Sequence, residues 1–276
     1  MQHKSHIVAT AFFATSLTMF SACGNDNSAN ADVEASTKDP TATGENTNNT
    51  FIDSRDGKTY KTVKIGKQTW MAENLNYEIE NSFCYDDDIT NCDKYGRLYT
   101  WPVAMDLTEN THIDGICDKE CVWKTPSSKV RGICPEGWHI PSREDWSILV
   151  NKVGNTRNAG SKLRSTSGWV DKGSGNDTDN YEPIIHALTS EVDKGSGNGT
   201  DNYGFTALPA GGKYLEEIGF SDLGTSTHFW STTYEISPIF GDTSVYALDI
   251  SSYNNEAPLN IFFSSSVGYS LRCLKD

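Results

Sequence analysis

The distribution of β-branched and aromatic residues after residue 58 predicts a β-hairpin. Thr59–Ile65 and Gln68–Met71 have the composition of two strands. Gly66-Lys67 between them suits a two-residue turn, because glycine tolerates a positive φ. The chain is therefore expected to enter its fold through an antiparallel strand pair.

A helical period of apolar residues follows Ser142. Ser142 suits the N-cap, Asp145 stands three residues later as in a capping box, and Gly154 suits the C-terminal end. A shorter helix is predicted over Thr100–Met105, with Thr100 as its cap. A further helix is possible around Ile184–Leu188. The apolar stripe of the first helix consists of Trp146, Leu149, Val150 and Val153.

The last third of the chain has the composition of short strands separated by Gly, Ser, Asn and Pro. Two short helices combined with an irregular antiparallel sheet predict an α+β domain. The predicted strands are Phe205–Leu208, His228–Tyr234, Val245–Ile250, Asn260–Phe263 and Tyr269–Leu274.

Residues 1–22 have the features of a bacterial export signal. A short basic segment precedes the apolar run Ile7–Phe20, which is shorter than the roughly 20 residues that span a bilayer. Ser21-Ala22-Cys23 then matches the cleavage site of a lipoprotein, so Cys23 is expected to carry lipid. The alternative is an ordinary signal with a free Cys23. Gly24 favours the outer membrane over the inner one.

Composition divides the remaining chain into a tether, residues 23–50, and one domain, residues 51–276. The tether has no aromatic residue and one large aliphatic, Val33, so it cannot bury enough apolar area to offset its ordering entropy. All seven tryptophans lie in the domain. The net charge of −14 argues against nucleic acid as a partner and against direct binding to anionic lipid. The expected membrane contact is therefore the lipid at Cys23.

Six cysteines follow Cys23, an even set that suits disulfides in an exported protein. Proximity suggests Cys84–Cys92 and Cys117–Cys121, which leaves Cys134–Cys273. Six cysteines allow 15 pairings, so other connectivities stay open. A metal site is the rival interpretation, but the spacings match no usual zinc pattern.

An ordered series of motifs runs through the domain: Trp70–Leu75, Tyr95–Trp101, Gly132–Ser142, Leu163–Trp169, Tyr203–Gly212, Phe229–Thr232 and Ser270–Cys273. This series resembles the Fibrobacter succinogenes major paralogous domain. The resemblance covers most of residues 52–276 and implies a surface or secreted bacterial domain without an established activity. It also suggests the C-type-lectin-like fold shared with formylglycine-generating enzymes, which the Cys134–Cys273 pairing fits.

One segment departs from the family pattern: Val170–Tyr181 recurs as Val192–Tyr203, with Asp177 replaced by Gly199. The duplication lengthens an oxygen-rich loop, and such loops can bind calcium. A solvated acidic loop is the favoured interpretation, because neither copy has the EF-hand spacing. No other cofactor is expected. The candidate calcium ligands in this loop are Asp177 and Asp179, and a second candidate, Asp86 and Asp88, lies between Cys84 and Cys92. The candidate ligand-binding acids of the duplicated loop are Asp171, Asp179, Asp193 and Asp201.

Aromatic side chains are the second class of candidate binding residue. Trp169 and Trp230, together with Trp123, would stack on sugar rings if they were exposed. Trp70, Trp101, Trp138 and Trp146 are assigned to the core. The histidines show no metal-binding or catalytic spacing, so we interpret them as structural or surface residues. No catalytic residue is predicted.

Three functions compete at this point. The first is a lipid-anchored binding module for polysaccharide, cell wall or an envelope protein. The second is an envelope-assembly scaffold without a small ligand. The third is an enzyme of the formylglycine-generating type, which needs free thiols near the C-terminus, where only Cys273 lies. The sequence favours the first.

Overall fold

The N-terminal sheet begins with the hairpin that the sequence predicts. The computed structural model describes residues 49–107, 129–170, 197–215, 217–236, 243–262 and 264–276, all within the compact unit Asp39–Asp276. In it β1 (Thr50–Ile52) pairs with β2 (Thr59–Ile65), and β2 pairs with β3 (Gln68–Met71). Gly66 in the connecting turn has a φ of +64°, which confirms the turn chemistry.

The C-terminal strand completes this first sheet. Its order is β1-β2-β3-β13-β6, where β6 is Trp138–His139 and β13 is Leu274–Lys275. The strand β13 lies antiparallel between β3 and β6. The end of the chain therefore joins the N-terminal hairpin to the segment that precedes the longest helix.

A second, larger sheet carries the candidate site. Its strands are β4 (Ser82–Phe83), β5 (Leu98–Thr100), β7 (Ala210–Lys213), β8 (Phe220–Leu223), β9 (Ser226–Ile236), β10 (Thr243–Ser251), β11 (Leu259–Phe262) and β12 (Gly268–Ser270). Their order in the sheet is β11-β10-β9-β7-β12-β5-β4, with β8 paired to β7. Strand β9 runs parallel to β7 and β12, whereas the other pairs are antiparallel.

Four short α-helices accompany the sheets in the described residues: α1 (Ile89–Tyr95), α2 (Trp101–Ala104), α3 (Arg143–Val153) and α4 (Ala159–Leu163). The capping box at Ser142 is confirmed, because Asp145 N–H donates to Ser142 Oγ and Ser142 N–H donates to Asp145 Oδ2. The described residues therefore contain more helices than the two that the sequence predicted. The segment Ile184–Leu188 lies outside the described residues.

No helix in the described part of the chain is long and apolar enough to cross a bilayer. The longest of them, α3, has 11 residues.

Two features of the C-terminal third differ from the prediction. Phe205–Leu208 is not a strand; its only ladder contact is an isolated bridge between Ala207 and Arg164. Tyr269–Leu274 is not one continuous strand but divides between β12 and β13. Strands β7 and β8 were not predicted. The described domain is thus mostly β-sheet with a few short helices.

The core consists of two aromatic clusters. In one, the rings of Trp70 and Trp146 stack 4.5 Å apart, and Phe205 meets them edge-on. The other contains Trp101, Trp138 and Trp230. The core assignment of the four tryptophans Trp70, Trp101, Trp138 and Trp146 is confirmed, since each is 3% exposed or less.

Two disulfides brace the described domain. Cys84–Cys92 links the segment before α1 to the helix itself, and Cys134–Cys273 links the segment before β6 to the segment before β13. Both pairings are confirmed. Cys23, Cys117 and Cys121 lie outside the described residues.

Candidate functional site

Trp169 and Trp230 are buried, so neither presents the exposed ring that stacking on a sugar would need. Trp169 is 5% exposed, and its Nε1 donates to Ser165 Oγ at 3.1 Å and to the Ala207 carbonyl at 3.0 Å. Trp230 is fully buried, and its Nε1 donates to the Tyr99 carbonyl at 2.7 Å. Both indole N–H groups bind internal acceptors, which explains why these amphipathic rings lie in the core. Trp123 lies outside the described residues.

The described acidic candidates are engaged in local structure. Asp201 accepts hydrogen bonds from Thr206 N–H at 2.8 Å and Thr206 Oγ at 2.7 Å. Asp88 caps α1 by accepting from Thr90 N–H at 2.9 Å, while Asp86 is exposed. Within the described ranges, no group of three His, Cys, Asp or Glu side chains is placed to hold a metal ion. The remaining candidates, Asp171, Asp177, Asp179 and Asp193, lie outside those ranges.

A buried arginine fixes the loop between β10 and β11, residues 252–258. Arg164 is 0% exposed, and its guanidinium donates to the carbonyls of Ser251 and Asn254, the latter at 2.5 Å. It also donates to Asn255 Oδ1 at 3.3 Å. Burial lowers the pKa of Arg164 to about 10, so the side chain stays charged at neutral pH. The arginine thus organises the loop backbone.

Helix α4 and the residues just before it also hold this loop. Ala257 N–H donates to the Thr156 carbonyl at 2.8 Å. Gly160 lies against the loop so closely that a Cβ there would collide with the Glu256 carbonyl. The loop then exposes half of the Tyr253 side chain, while Asn254 is half-buried. The result is a fixed backbone that presents an aromatic ring and amides.

A pocket of about 320 Å³ lies where this loop meets α3. Three polar side chains of α3 reach it from positions i, i+4 and i+8, which share one helix face. The opposite wall comes from the loop and the start of β11. We call the pocket and the loop together the loop–helix surface. The pocket is lined by Arg143, Ser147, Val150, Asn151, Thr156, Ala257, Pro258 and Leu259.

Arg143 is the only charged residue that lines this pocket in the described part of the chain. Its guanidinium carbon lies 4.7 Å from the centroid of the Tyr246 ring, a cation–π arrangement. The side chain is exposed, and among the described residues no carboxylate lies within ion-pair distance of it. Its N–H donors therefore remain available to a ligand.

A second polar constellation lies between β9, β10 and the β7–β8 hairpin. His228 and Asp249 are register partners, and His228 Nδ1 donates to Asp249 Oδ1. His228 Nε2 lies 3.3 Å from the Tyr214 hydroxyl, which donates to Asp222 Oδ2 at 2.6 Å. The imidazole stacks on the Tyr269 ring at 4.4 Å. We call these residues the histidine network.

The histidine network favours a protonated imidazole. Burial alone would lower the pKa of His228, but the adjacent Asp249 carboxylate outweighs it, and the net pKa is raised. Because the Tyr214 hydroxyl donates to Asp222, its oxygen accepts from His228 Nε2. The protonated imidazole of His228 then contacts the Asp249 carboxylate directly and the Asp222 carboxylate through the Tyr214 hydroxyl. Burial raises the pKa of Tyr214 far above its ordinary value.

The sequence analysis predicted neither the loop–helix surface nor the histidine network. His228 and Asp249 fall within predicted strands, where a polar residue among apolar neighbours signals a buried hydrogen-bond network. Arg143 opens a helix at a position that favours acidic residues, because the dipole disfavours a cation there. That mismatch was the available signal for the pocket.

These observations define a disulfide-braced, mostly β domain with a loop–helix surface on one side of α3. The family model of the Fibrobacter succinogenes major domain matches residues 63–275. The chain belongs to this family. No curated protein and no solved structure matches it.

Proposed function

We propose that this chain is an exported, lipid-anchored surface protein whose domain binds a polysaccharide at the loop–helix surface without catalysing a reaction. The observation that carries the proposal is that the buried Arg164 fixes the β10–β11 loop. This loop presents the Tyr253 ring and also lines the pocket. A fixed loop loses little conformational freedom on binding, so more of the contact energy is available for affinity.

The chemistry of the surface suits a sugar chain. An exposed tyrosine ring offers a flat apolar face at low entropy cost, and neighbouring amides and hydroxyls suit the sugar hydroxyl groups. Asn254 and Asn255 follow Tyr253 in the chain, and Ser147 and Asn151 supply polar groups to the pocket. Pro258 and Leu259 add an apolar wall.

The C-type-lectin-like architecture remains part of this proposal. The Cys134–Cys273 bridge fits that fold, in which a terminal strand is tied to the first-half helix region. The same bridge supports a binding role over a formylglycine-generating activity, because it leaves no thiol at Cys273. The fold by itself does not assign a ligand.

Binding is tested by affinity electrophoresis and a glycan array, using the full-length protein in detergent with and without calcium. We expect Tyr253→Ala to weaken binding about 10-fold, the usual scale for removing an aromatic anchor. Leu215→Ala, which removes a comparably exposed apolar side chain from the β7–β8 connection, should leave affinity unchanged. Absence of binding to every glycan would remove the carbohydrate proposal, and in-cell crosslinking to one envelope protein would favour the scaffold.

The lipid anchor has its own test. Metabolic labelling with a fatty-acid analogue should mark the wild-type chain and not Cys23→Ser, which should appear in the soluble fraction. A labelled Cys23→Ser chain would contradict anchoring at Cys23.

A further inference from the structure

We infer that the pocket beside α3 recognises an isolated carboxylate on a largely neutral polysaccharide, and that Arg143 determines this specificity. The inference rests on the binding function proposed above and adds the chemical class of the ligand. A polysaccharide with occasional uronic acid groups is the class that combines hydroxyl-rich chains with separated carboxylates.

The placement of Arg143 is not explained by the stability of its helix. As the first residue of α3, it brings a cation to the end where the helix dipole disfavours one. The capping box at that end is already complete through Ser142 and Asp145. Among the described residues, no carboxylate forms an ion pair with Arg143, although the chain has a net charge of −14.

The geometry of Arg143 suits a carboxylate. A cation–π contact with Tyr246 holds the guanidinium carbon 4.7 Å from the ring centroid. A planar guanidinium binds a carboxylate through two parallel N–H···O bonds, which an ammonium group cannot reproduce. Arg143 lines the pocket and therefore brings the donors for a bidentate contact to it.

The rest of the pocket suits the sugar that would carry the carboxylate. Ser147 and Asn151 follow Arg143 on the same helix face and line the pocket. Ser147 Oγ donates to the Arg143 carbonyl at 2.8 Å, so its lone pairs can accept from a sugar hydroxyl. The apolar wall of Pro258 and Leu259 can cover the C–H face of a ring.

The net charge of the chain selects isolated carboxylates over a dense polyanion. A chain of net charge −14 repels closely spaced negative charges. At physiological ionic strength the screening length is about 8 Å, so a lone carboxylate at Arg143 is shielded from most distant acidic residues. A continuous polyuronate would bring further charges within that length of the protein surface.

The experiment compares three probes: a glucuronoxylan, the same polymer after carboxyl reduction, and polygalacturonate. Isothermal titration with the full-length protein in detergent should show about 10-fold tighter binding to glucuronoxylan than to its reduced form. Arg143→Gln should abolish that ratio, so that the two polymers bind with the same affinity. Arg143→Lys should retain only part of the ratio, and Arg131→Gln, which removes another exposed arginine, should leave it intact. Polygalacturonate should bind more weakly than glucuronoxylan.

The outcomes separate this inference from the proposed function. If Arg143→Gln keeps the wild-type ratio, or if the reduced polymer binds as well as glucuronoxylan, the carboxylate inference fails while polysaccharide binding stands. If polygalacturonate binds best, the preference for isolated carboxylates is wrong. If the wild-type chain binds no glycan, the proposed function fails and this inference with it. Matching unfolding midpoints of the variants would show that each is folded.

Discussion

At the scale of single residues, buried arginines take the place of backbone partners. Arg272 is fully buried, and its Nε donates to Asn74 Oδ1 at 2.8 Å. Its two terminal nitrogens donate to the carbonyls of Phe205 and Thr206. Burial lowers the pKa of Arg272 to about 9, which still leaves it charged at neutral pH. The guanidinium satisfies carbonyls that would otherwise need a neighbouring strand.

Because of His228, the free energy of unfolding is expected to decrease as the pH rises above about 6.5. Burial opposes its charge, but the Asp249 carboxylate raises its pKa above the ordinary value of 6.5. The folded chain therefore keeps a proton that the unfolded chain releases. This stabilisation is complete below about pH 6.5 and is lost as the pH rises through the folded pKa, by at most about 1.4 kcal/mol per pH unit.

Urea unfolding from pH 6 to pH 9 measures this effect. His228→Gln should make the slope in that range smaller, because the contribution of this imidazole is lost. His139→Gln is the matched control, because burial lowers the pKa of His139 and its contribution changes below pH 6.5 instead. An unchanged alkaline slope in His228→Gln would show that the network does not hold the extra proton.

At the scale of elements, the sequence predicted those segments whose signals are local. The hairpin β2–β3 depends on a turn at Gly66, and α3 depends on its own cap and apolar stripe. Both appear where predicted. Phe205–Leu208 has the composition of a strand, yet Arg272 from a distant segment binds two of its carbonyls. Such a tertiary contact overrides a β propensity and leaves no local mark.

Strand β7 illustrates the opposite error. Ala210-Gly211-Gly212 has the composition of a loop, but it forms a buried strand because neighbouring groups approach its backbone. A Cβ on Gly212 would lie 3.0 Å from the Tyr269 ring, and one on Gly211 would lie 2.5 Å from the Ser221 carbonyl. Glycine at these positions permits close packing, which the sequence alone does not distinguish from flexibility.

The capping box of α3 gives an element-scale prediction. Ser142→Ala removes the acceptor for Asp145 N–H and should lower the free energy of unfolding by about 1 kcal/mol. Ser147→Ala makes the same change inside the helix, where alanine has the higher propensity, and should raise stability by a few tenths of a kcal/mol. Denaturant titration of both variants provides the comparison. If both variants change the free energy of unfolding equally, the Ser142 cap does not stabilise α3 specifically.

At the scale of the whole molecule, the candidate surface was beyond prediction because its parts are distant in sequence. The polar face comes from α3, one contact from Thr156, and the wall from Pro258 and Leu259. Each segment is ordinary by itself. Only the packing of α4 and Arg164 against the β10–β11 loop brings them together. The two described disulfides, by contrast, were predictable, because proximity along the chain suggests Cys84–Cys92 and Cys117–Cys121 and leaves Cys134 for Cys273.

The two described disulfides should differ in their contribution to stability. Cys134–Cys273 spans 139 residues and Cys84–Cys92 spans 8. In the chain-entropy description, the longer loop restricts the unfolded chain more, and its closure is worth about 5 kcal/mol against about 2.5 kcal/mol for the shorter. The long bridge also ties the segment before β6 to the segment before β13, whose strands are neighbours in the first sheet.

Double alanine variants test this difference under non-reducing conditions. Cys134→Ala with Cys273→Ala should lower the free energy of unfolding by about twice as much as Cys84→Ala with Cys92→Ala, measured by guanidinium titration. Both sulfurs of the long bridge are fully buried, so their removal adds a cavity cost in the same direction. Intact mass of the native chain should first confirm that both bridges are present. Equal losses from the two variants would mean that loop length does not control the stabilisation, and that local packing around each sulfur pair does.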